Sequence, residues 1–211
     1  MDEDITKIDR LLQLFPLYSE DLGIDLSTPS GRFRWFVSSI LFGARISEQV
    51  AANTYRCFET AGVDAPDKII GAGWDRLVEI LDAGGYVRYD FSTATKLLKI
   101  MTTLQQNYGS LENLYCQASD GKDLEKRLQE FKGIGPTTAQ IFLRELRGIW
   151  QVQPKVTDIV RTSAANLNIA LGQFEGERLA RVETALVNIY LRCCKRRNCY
   201  PCPMADSCTK A

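Results

Sequence analysis

Five of the seven cysteines, Cys193, Cys194, Cys199, Cys202 and Cys208, fall within sixteen residues near the C-terminus, among Lys195, Arg196, Arg197, Asn198, Pro201 and Pro203. Core packing does not explain thiols in so polar a stretch, and the pair Cys199-Tyr200-Pro201-Cys202 has the short bite that lets two thiolates reach one centre. Cys208 closes a loop after five residues, and Cys193 or Cys194 supplies a fourth ligand. Four thiolates suit tetrahedral zinc or an iron–sulfur cluster. Zinc ribbons pair two CxxC knuckles and this chain has one, so the spacing leans toward the cluster. A second chemical segment is Phe131-Lys132-Gly133-Ile134-Gly135-Pro136-Thr137-Thr138-Ala139, set between the amphipathic DLEKRLQE and QIFLRELRG. One helix runs in, a turn with two glycines reverses the chain, and Pro136 sits where proline is tolerated at the start of the next helix. Glycines let a ligand approach the backbone, and free N–H groups at a helix start favour an anion. The expectation is a phosphate site made of main chain.

The chain has no histidine, which removes Ser/His and Cys/His nucleophilic catalysis and the usual neutral-pH general base. Chemistry must come from carboxylates, Lys, Tyr, hydroxyls, backbone dipoles or a cofactor held by cysteines. With 211 residues, 45% hydrophobic and 25% charged, the composition is that of a globular protein able to bury a core, not of a disordered or fibrous one. Lys+Arg and Asp+Glu are equal at 26, so global charge names no partner, yet the charge is uneven. Residues 1–25 carry seven acids against two bases, and residues 131–211 carry twelve bases against six acids. A neutral protein of this kind can present a basic face to a phosphate backbone. No apolar run approaches the ~20 residues of a membrane span, and the acidic N-terminus is unlike a secretory signal, so a reducing, cytoplasmic setting is expected, where clustered cysteines bind metal more often than they pair.

The elements that must position these groups are helical. Ile5, Ile8, Leu11, Leu12 and Phe15 form one stripe at i, i+3, i+4, i+7 spacing. Further helices are expected at about 31–42, 47–61, 65–71, 74–82, 90–108, 110–117, 122–131, 136–147, 158–168 and 175–191, punctuated by Pro66-Asp67, Gly84-Gly85, Gly133, Gly135 and Pro154. No stretch alternates as a strand with hairpin turns. The fold class is therefore all-α.

The hairpin and the cysteine loop together resemble the endonuclease III branch of the helix-hairpin-helix DNA glycosylases, over nearly the whole chain. The family hairpin is matched by Gly133, Ile134, Gly135, Thr138 and Ala139. The family cluster spacing, Cys-x6-Cys-x2-Cys-x5-Cys, is matched at Cys199, Cys202 and Cys208, while Cys193 is followed by five residues instead of six. The resemblance implies two closely packed helical lobes, residues 25–148 as a helical barrel with the hairpin and residues 1–24 plus 149–211 as a second domain with a [4Fe–4S] cluster on Cys193, Cys199, Cys202 and Cys208. It also implies a double-stranded DNA partner carrying a damaged or mispaired base, contacts from Lys132, Gly133, Ile134, Gly135, Thr137 and Thr138, and action as a monomer at the prokaryotic nucleoid. Bifunctional members attack the sugar with a Lys immediately before the Thr-Ala pair, where this chain has Thr137. A hydroxyl forms no imine, so hydrolysis without lyase activity is expected unless Lys132 or Lys155 reaches in. The catalytic Asp of the family, expected after the helix that follows the hairpin, falls on Asp158, the only acid between Glu145 and Glu175. An ionised carboxylate there stabilises an oxocarbenium-like sugar or orients water; the plain alternative is that Asp158 caps the helix beginning near it.

Gly43-Ala44-Arg45-Ile46-Ser47-Glu48-Gln49 matches the position of the family loop that enters DNA beside the lesion, with Arg45 where Gln is common and Gln49 as a possible substitute. Trp35, Trp74, Tyr86 and Tyr89 are of the type that stacks a flipped base, although aromatics at helical spacing usually form core. Cys57 and Cys116 lie on apolar helix faces and are expected to be buried. A catalytically silent DNA binder on the same scaffold is the alternative that the missing Lys suggests, and a zinc-bound helical module with no DNA role would leave the hairpin glycines unexplained.

Overall fold

The computed structural model describes residues 2–210, with side chains from Lys7 onward, and places no strand among them. Eleven α-helices are described: α1 (Asp2–Leu14), α2 (Tyr18–Asp21), α3 (Pro29–Phe42), α4 (Glu48–Thr60), α5 (Pro66–Ala83), α6 (Asp90–Asn107), α7 (Leu111–Gln117), α8 (Gly121–Glu130), α9 (Pro136–Glu145), α10 (Asp158–Asn166) and α11 (Gly176–Arg192). The fold class is all-α, as the periodicity implies. Among the described residues no helix is long and apolar enough to cross a membrane. The chain divides into two compact units, one of Leu22–Leu143 and one combining the residues up to Asp21 with those from Arg144 on.

In the Leu22–Leu143 unit the core is aromatic and aliphatic. Trp35 is fully buried and donates from Nε1 to the Phe142 carbonyl at 3.1 Å. Phe36 meets Phe142 edge-on at 5.2 Å, and Tyr86, also fully buried, donates its hydroxyl to the Leu41 carbonyl at 2.9 Å. These contacts place Trp35 and Tyr86 in the interior and remove them as candidates for stacking a base. Trp74 stays partly exposed, tilted against Phe91 and bonded to the Thr95 hydroxyl at 3.0 Å. The two helices expected at 65–71 and 74–82 are α5, broken at Gly73, whose φ of 72° is the left-handed conformation that glycine adopts without strain. Cys57 is only half-buried and Cys116 is exposed, because α7 turns Leu111 and Leu114 inward and Cys116 away from them.

In the discontinuous unit, Ile8, Leu11 and Phe15 of α1 pack with Val160 and Ala164 of α10, with Val182, Ala185, Leu186 and Ile189 of α11, and with Met204. The side chain of Ile5, the first residue of the expected α1 stripe, lies outside the described residues. The unit also has a charged interior. Glu145 accepts from the backbone N–H groups of Tyr18 and Ser19 at 2.9 and 3.0 Å, capping α2 from a point distant in sequence. Arg144 donates to the Thr184 hydroxyl at 3.1 Å, and Arg147 pairs with Glu183 at 2.6 Å. Burial pushes the Glu145 and Glu183 carboxyls up, against the pull of Arg144 on the first and Arg147 on the second. Arg144 and Arg147 are thus removed from any basic face built by residues 131–211.

Candidate functional site

The hairpin is built as its residue types require. Asp120 caps α8 by accepting from Lys122 and Asp123 N–H, each at 2.8 Å, and Leu124 and Leu128 face inward until Phe131 leaves the helix in an extended conformation. Gly133 turns the chain with φ of 108°, and the Ile134 N–H closes the turn on the Phe131 carbonyl at 2.9 Å. Pro136 opens α9, whose first backbone bond runs from Ala139 N–H to the Gly135 carbonyl at 3.1 Å. The N–H groups of Thr137 and Thr138 precede that bond and have no acceptor among the described residues.

The two glycines differ. A Cβ on Gly133 would meet Lys96 Cγ at 2.6 Å, whereas a Cβ on Gly135 would meet nothing within 4 Å. Gly135 also has no positive φ, so neither backbone nor packing inside the unit demands glycine there. Its bareness leaves the start of α9 open to a ligand. Lys132 and Thr137 are exposed beside it. Ile134 and Thr138 are buried: the Ile134 amide is engaged by Phe131, and the Thr138 hydroxyl faces Gly43, where a Cβ would lie 2.1 Å from it. The side chains of those two residues pack into the turn, while the Thr138 N–H stays among the open amides at the start of α9.

That contact brings the 43–47 loop beside the first turn of α9. Gly43 N–H bonds the Ser39 carbonyl at 2.9 Å to end α3, Ile46 N–H bonds the Ala44 carbonyl at 2.9 Å, and Ser47 caps α4 through Val50 N–H at 3.3 Å. Arg45, between these anchors, is exposed and has no partner among the described residues. Gln49 is exposed too, but its amide donates to Asn53 Oδ1 at 2.9 Å along α4. The cation that the sequence does not single out is Lys96 of α6. Its stem lies across Gly133, burial holds its amine below the usual lysine range, and it has no acidic partner among the described residues. On α6 it reads as one more polar residue of an amphipathic helix; only the turn packed against it gives it meaning.

In the discontinuous unit Asp158 is the first residue of α10 and is exposed. It does not cap that helix. Thr157 does, accepting from Val160 N–H at 3.4 Å, and the Asp158 carboxylate has no hydrogen bond or ion pair among the described residues. An unpaired acid in the first turn sits where the helix dipole favours negative charge. Lys155 and Arg161 are exposed nearby in sequence, Arg161 donating from Nε to the Val156 carbonyl at 3.3 Å.

At the C-terminus successive tight turns gather the cysteines. Asn198 N–H bonds the Cys193 carbonyl at 3.1 Å, Cys202 N–H the Cys199 carbonyl at 3.0 Å, and Cys208 N–H the Ala205 carbonyl at 3.0 Å. Met204 is fully buried, and Cys202 and Cys208 pack against the same apolar cluster that holds Cys193. Burial pushes the Cys193 thiol up to about 11, with a hydrogen bond to Cys202 and the charges of Cys202, Cys194 and Cys199 as further causes. Cys194 is raised by burial and then by Cys202 and Cys208, while its own hydrogen bond is with Asn166. Among the described residues no three Cys, Asp or Glu side chains surround a point as ligands of a single metal ion.

No protein-family signature matches the sequence, and no curated protein is similar to it in sequence. Among solved structures, the fold is similar to that of H. pylori 3-methyladenine DNA glycosylase (MagIII) bound to 1,N6-ethenoadenine, with a TM-score of 0.53 and 16% identity over 90% of this chain and 98% of that one. At that identity the likeness is one of fold, an all-helical architecture shared along nearly the full length of both chains.

Proposed function

We propose that this protein is a DNA base-excision repair N-glycosylase that hydrolyses the glycosidic bond of a damaged or mispaired base in duplex DNA. The observation that carries the reading is Asp158: an exposed carboxylate without a partner among the described residues, at a helix start already capped by its neighbour, has no hydrogen-bonding duty there. Breaking an N-glycosidic bond builds positive charge on the sugar, and a fixed carboxylate stabilises that charge or orients the attacking water. The open hairpin supports the reading, since amides of Thr137 and Thr138 and the ammonium of Lys132 suit a phosphate whatever the base sequence. Arg45, exposed and without a partner among the described residues, takes in this reading the role of entering the duplex beside the base. Thr137 offers a hydroxyl where an amine would be needed for a Schiff base, so the product is an intact strand with an abasic site.

The cysteine loop completes the proposal as the seat of a [4Fe–4S] cluster on Cys193, Cys199, Cys202 and Cys208. These four thiolates would hold the cluster, and the packing of Cys193, Cys202 and Cys208 on one apolar floor supports the reading. Cys193 is preferred to Cys194 because its spacing to Cys199 is closer to the family's. Four protein thiolates leave no iron open to substrate, so the cluster's contribution is to hold the loop together. Anaerobically purified protein is expected to be brown and to contain iron; zinc in stoichiometric amount without iron would overturn this part.

The test of activity is a panel of duplexes, each with one modified or mispaired base, incubated with protein and then treated with alkali. The fold likeness makes an alkylated or etheno-adducted purine the first substrate to try. Base release with strand breaks only after alkali, and no adduct trapped by borohydride, is the expected result. Duplex binding with no base release across the panel would return the protein to a catalytically silent binder.

A further inference from the structure

We propose that the buried pair Arg147–Glu183 is a positioning device that fixes the backbone carrying Asp158, acting through the carbonyl of Pro154. This inference rests on the reading of Asp158 as the group that stabilises the sugar. Arg147 and Glu183 side chains are each 3% exposed, with Nε at 2.6 Å from one carboxylate oxygen and Nη2 at 3.3 Å from the other. The same Nη2 also donates to the Pro154 carbonyl.

Removing two charges from water is costly, and an apolar pair of similar size commonly stabilises a fold as well or better. What an apolar pair cannot do is hold a carbonyl. Residues 151–157 form neither helix nor strand, so their buried backbone groups need partners from elsewhere. Val152 and Pro154 are buried and Val156 packs on the apolar cluster, yet packing alone leaves the chain free to shift along its own direction. The Arg147 bond supplies the directional restraint, and Glu183 sets the plane of the guanidinium fork so that one arm points at Pro154. Asp158 stands four residues later. Its side chain is bonded to nothing among the described residues, so its place is decided by the packing of α10 through Val160 and Ala164, by the Thr157 cap and by the main chain that enters the helix. A displacement of about 1 Å at a charge-stabilising group is enough to cost on the order of a hundredfold in rate.

The test uses the full chain and compares the parent with the apolar double variant Arg147→Met/Glu183→Met and with Arg147→Lys, which keeps the charge but loses the fork. The double variant is expected to melt within a few degrees of the parent. Its amides across 151–161 should exchange with deuterium at least tenfold faster, and kcat for base release should fall at least tenfold with KM changed less than twofold. Arg147→Lys should show the same pattern to a smaller degree, and it carries the test if the double variant does not fold. A stable double variant, or a stable Arg147→Lys, with parental exchange across 151–161 and parental kcat would overturn the proposal and leave the pair as packing alone. If the parent releases no base from any duplex, the glycosylase reading fails by itself, and exchange across 151–161 still decides whether the pair holds the segment.

Discussion

The hairpin at 132–136 and the segment ending at Asp158 are both short, non-helical stretches that lead into a helix, and they prepare that helix start in opposite ways. The hairpin leaves the amides of α9 bare: Gly135 has no side chain, Pro136 has no N–H, and Thr137 and Thr138 have N–H groups without acceptors among the described residues. The start of α10 is closed by Thr157, and a carboxylate stands on it instead. One helix end leaves N–H groups bare and the other presents a carboxylate. The first depends on the main chain and is sensitive to an added Cβ; the second depends on a side chain and is sensitive to a lost charge.

That contrast can be broken most sharply at Asp158. Asp158→Asn keeps size while removing the charge, and it should lower kcat for base release by about a thousandfold or more. Because Thr157 supplies the cap, stability should fall by no more than the helix-dipole contribution, about 0.5–1 kcal/mol by urea denaturation. Full activity in this variant would remove Asp158 from the chemistry. The next largest effect is expected at Gly133→Ala, where φ of 108° and the Lys96 stem oppose a Cβ; unfolding free energy should drop by about 1–3 kcal/mol. Gly135→Ala separates binding from folding. It should lower duplex affinity about tenfold for any sequence, the equivalent of one charge-assisted bond, while costing at most about 1 kcal/mol in stability. Equal affinity in this variant would mean that the bare helix start is not a ligand site.

Two smaller effects sharpen the comparison. Thr157→Ala removes the side chain that closes α10 and should destabilise the protein by about 1 kcal/mol in denaturant titration. Lys132→Ala should leave stability unchanged and flatten the dependence of log affinity on log salt by roughly one unit, as expected for one lost phosphate contact. An unaltered salt slope would place Lys132 in solvent.

Much of this was legible in the residues. The 3.6-residue periodicity located the long helices to within a few positions, and Gly133 and Pro136 marked the turn and the helix start, because those features arise from local physics. The misses have a common origin in contacts between distant parts of the chain. Helix α2 is four residues long and owes its first-turn bonds to Glu145, more than a hundred positions away. Arg144, Glu145, Arg147 and Glu183 are charged residues that are nonetheless buried, each bonded to a partner that no spacing rule reveals, and Arg144 Nη2 is left without one among the described residues. Lys96 was invisible for the same reason, since only the folded turn brings Gly133 against it. Asp158 stood out because acids are scarce around it, but that Thr157 and not Asp158 caps α10 required geometry.

The discontinuous unit has a consequence in time. Helix α1 packs against α10 and α11, and α11 ends at Arg192, so on a ribosome the first helix emerges long before the surfaces that cover it. At 5–20 residues per second the interval is on the order of ten to thirty seconds. Throughout it the stripe formed by Ile8, Leu11 and Phe15 has no native partner, while Leu22–Leu143 emerges complete and folds first. The acidic start of the chain, seven acids against two bases in residues 1–25, accompanies that stripe during the wait and opposes its association with other nascent chains.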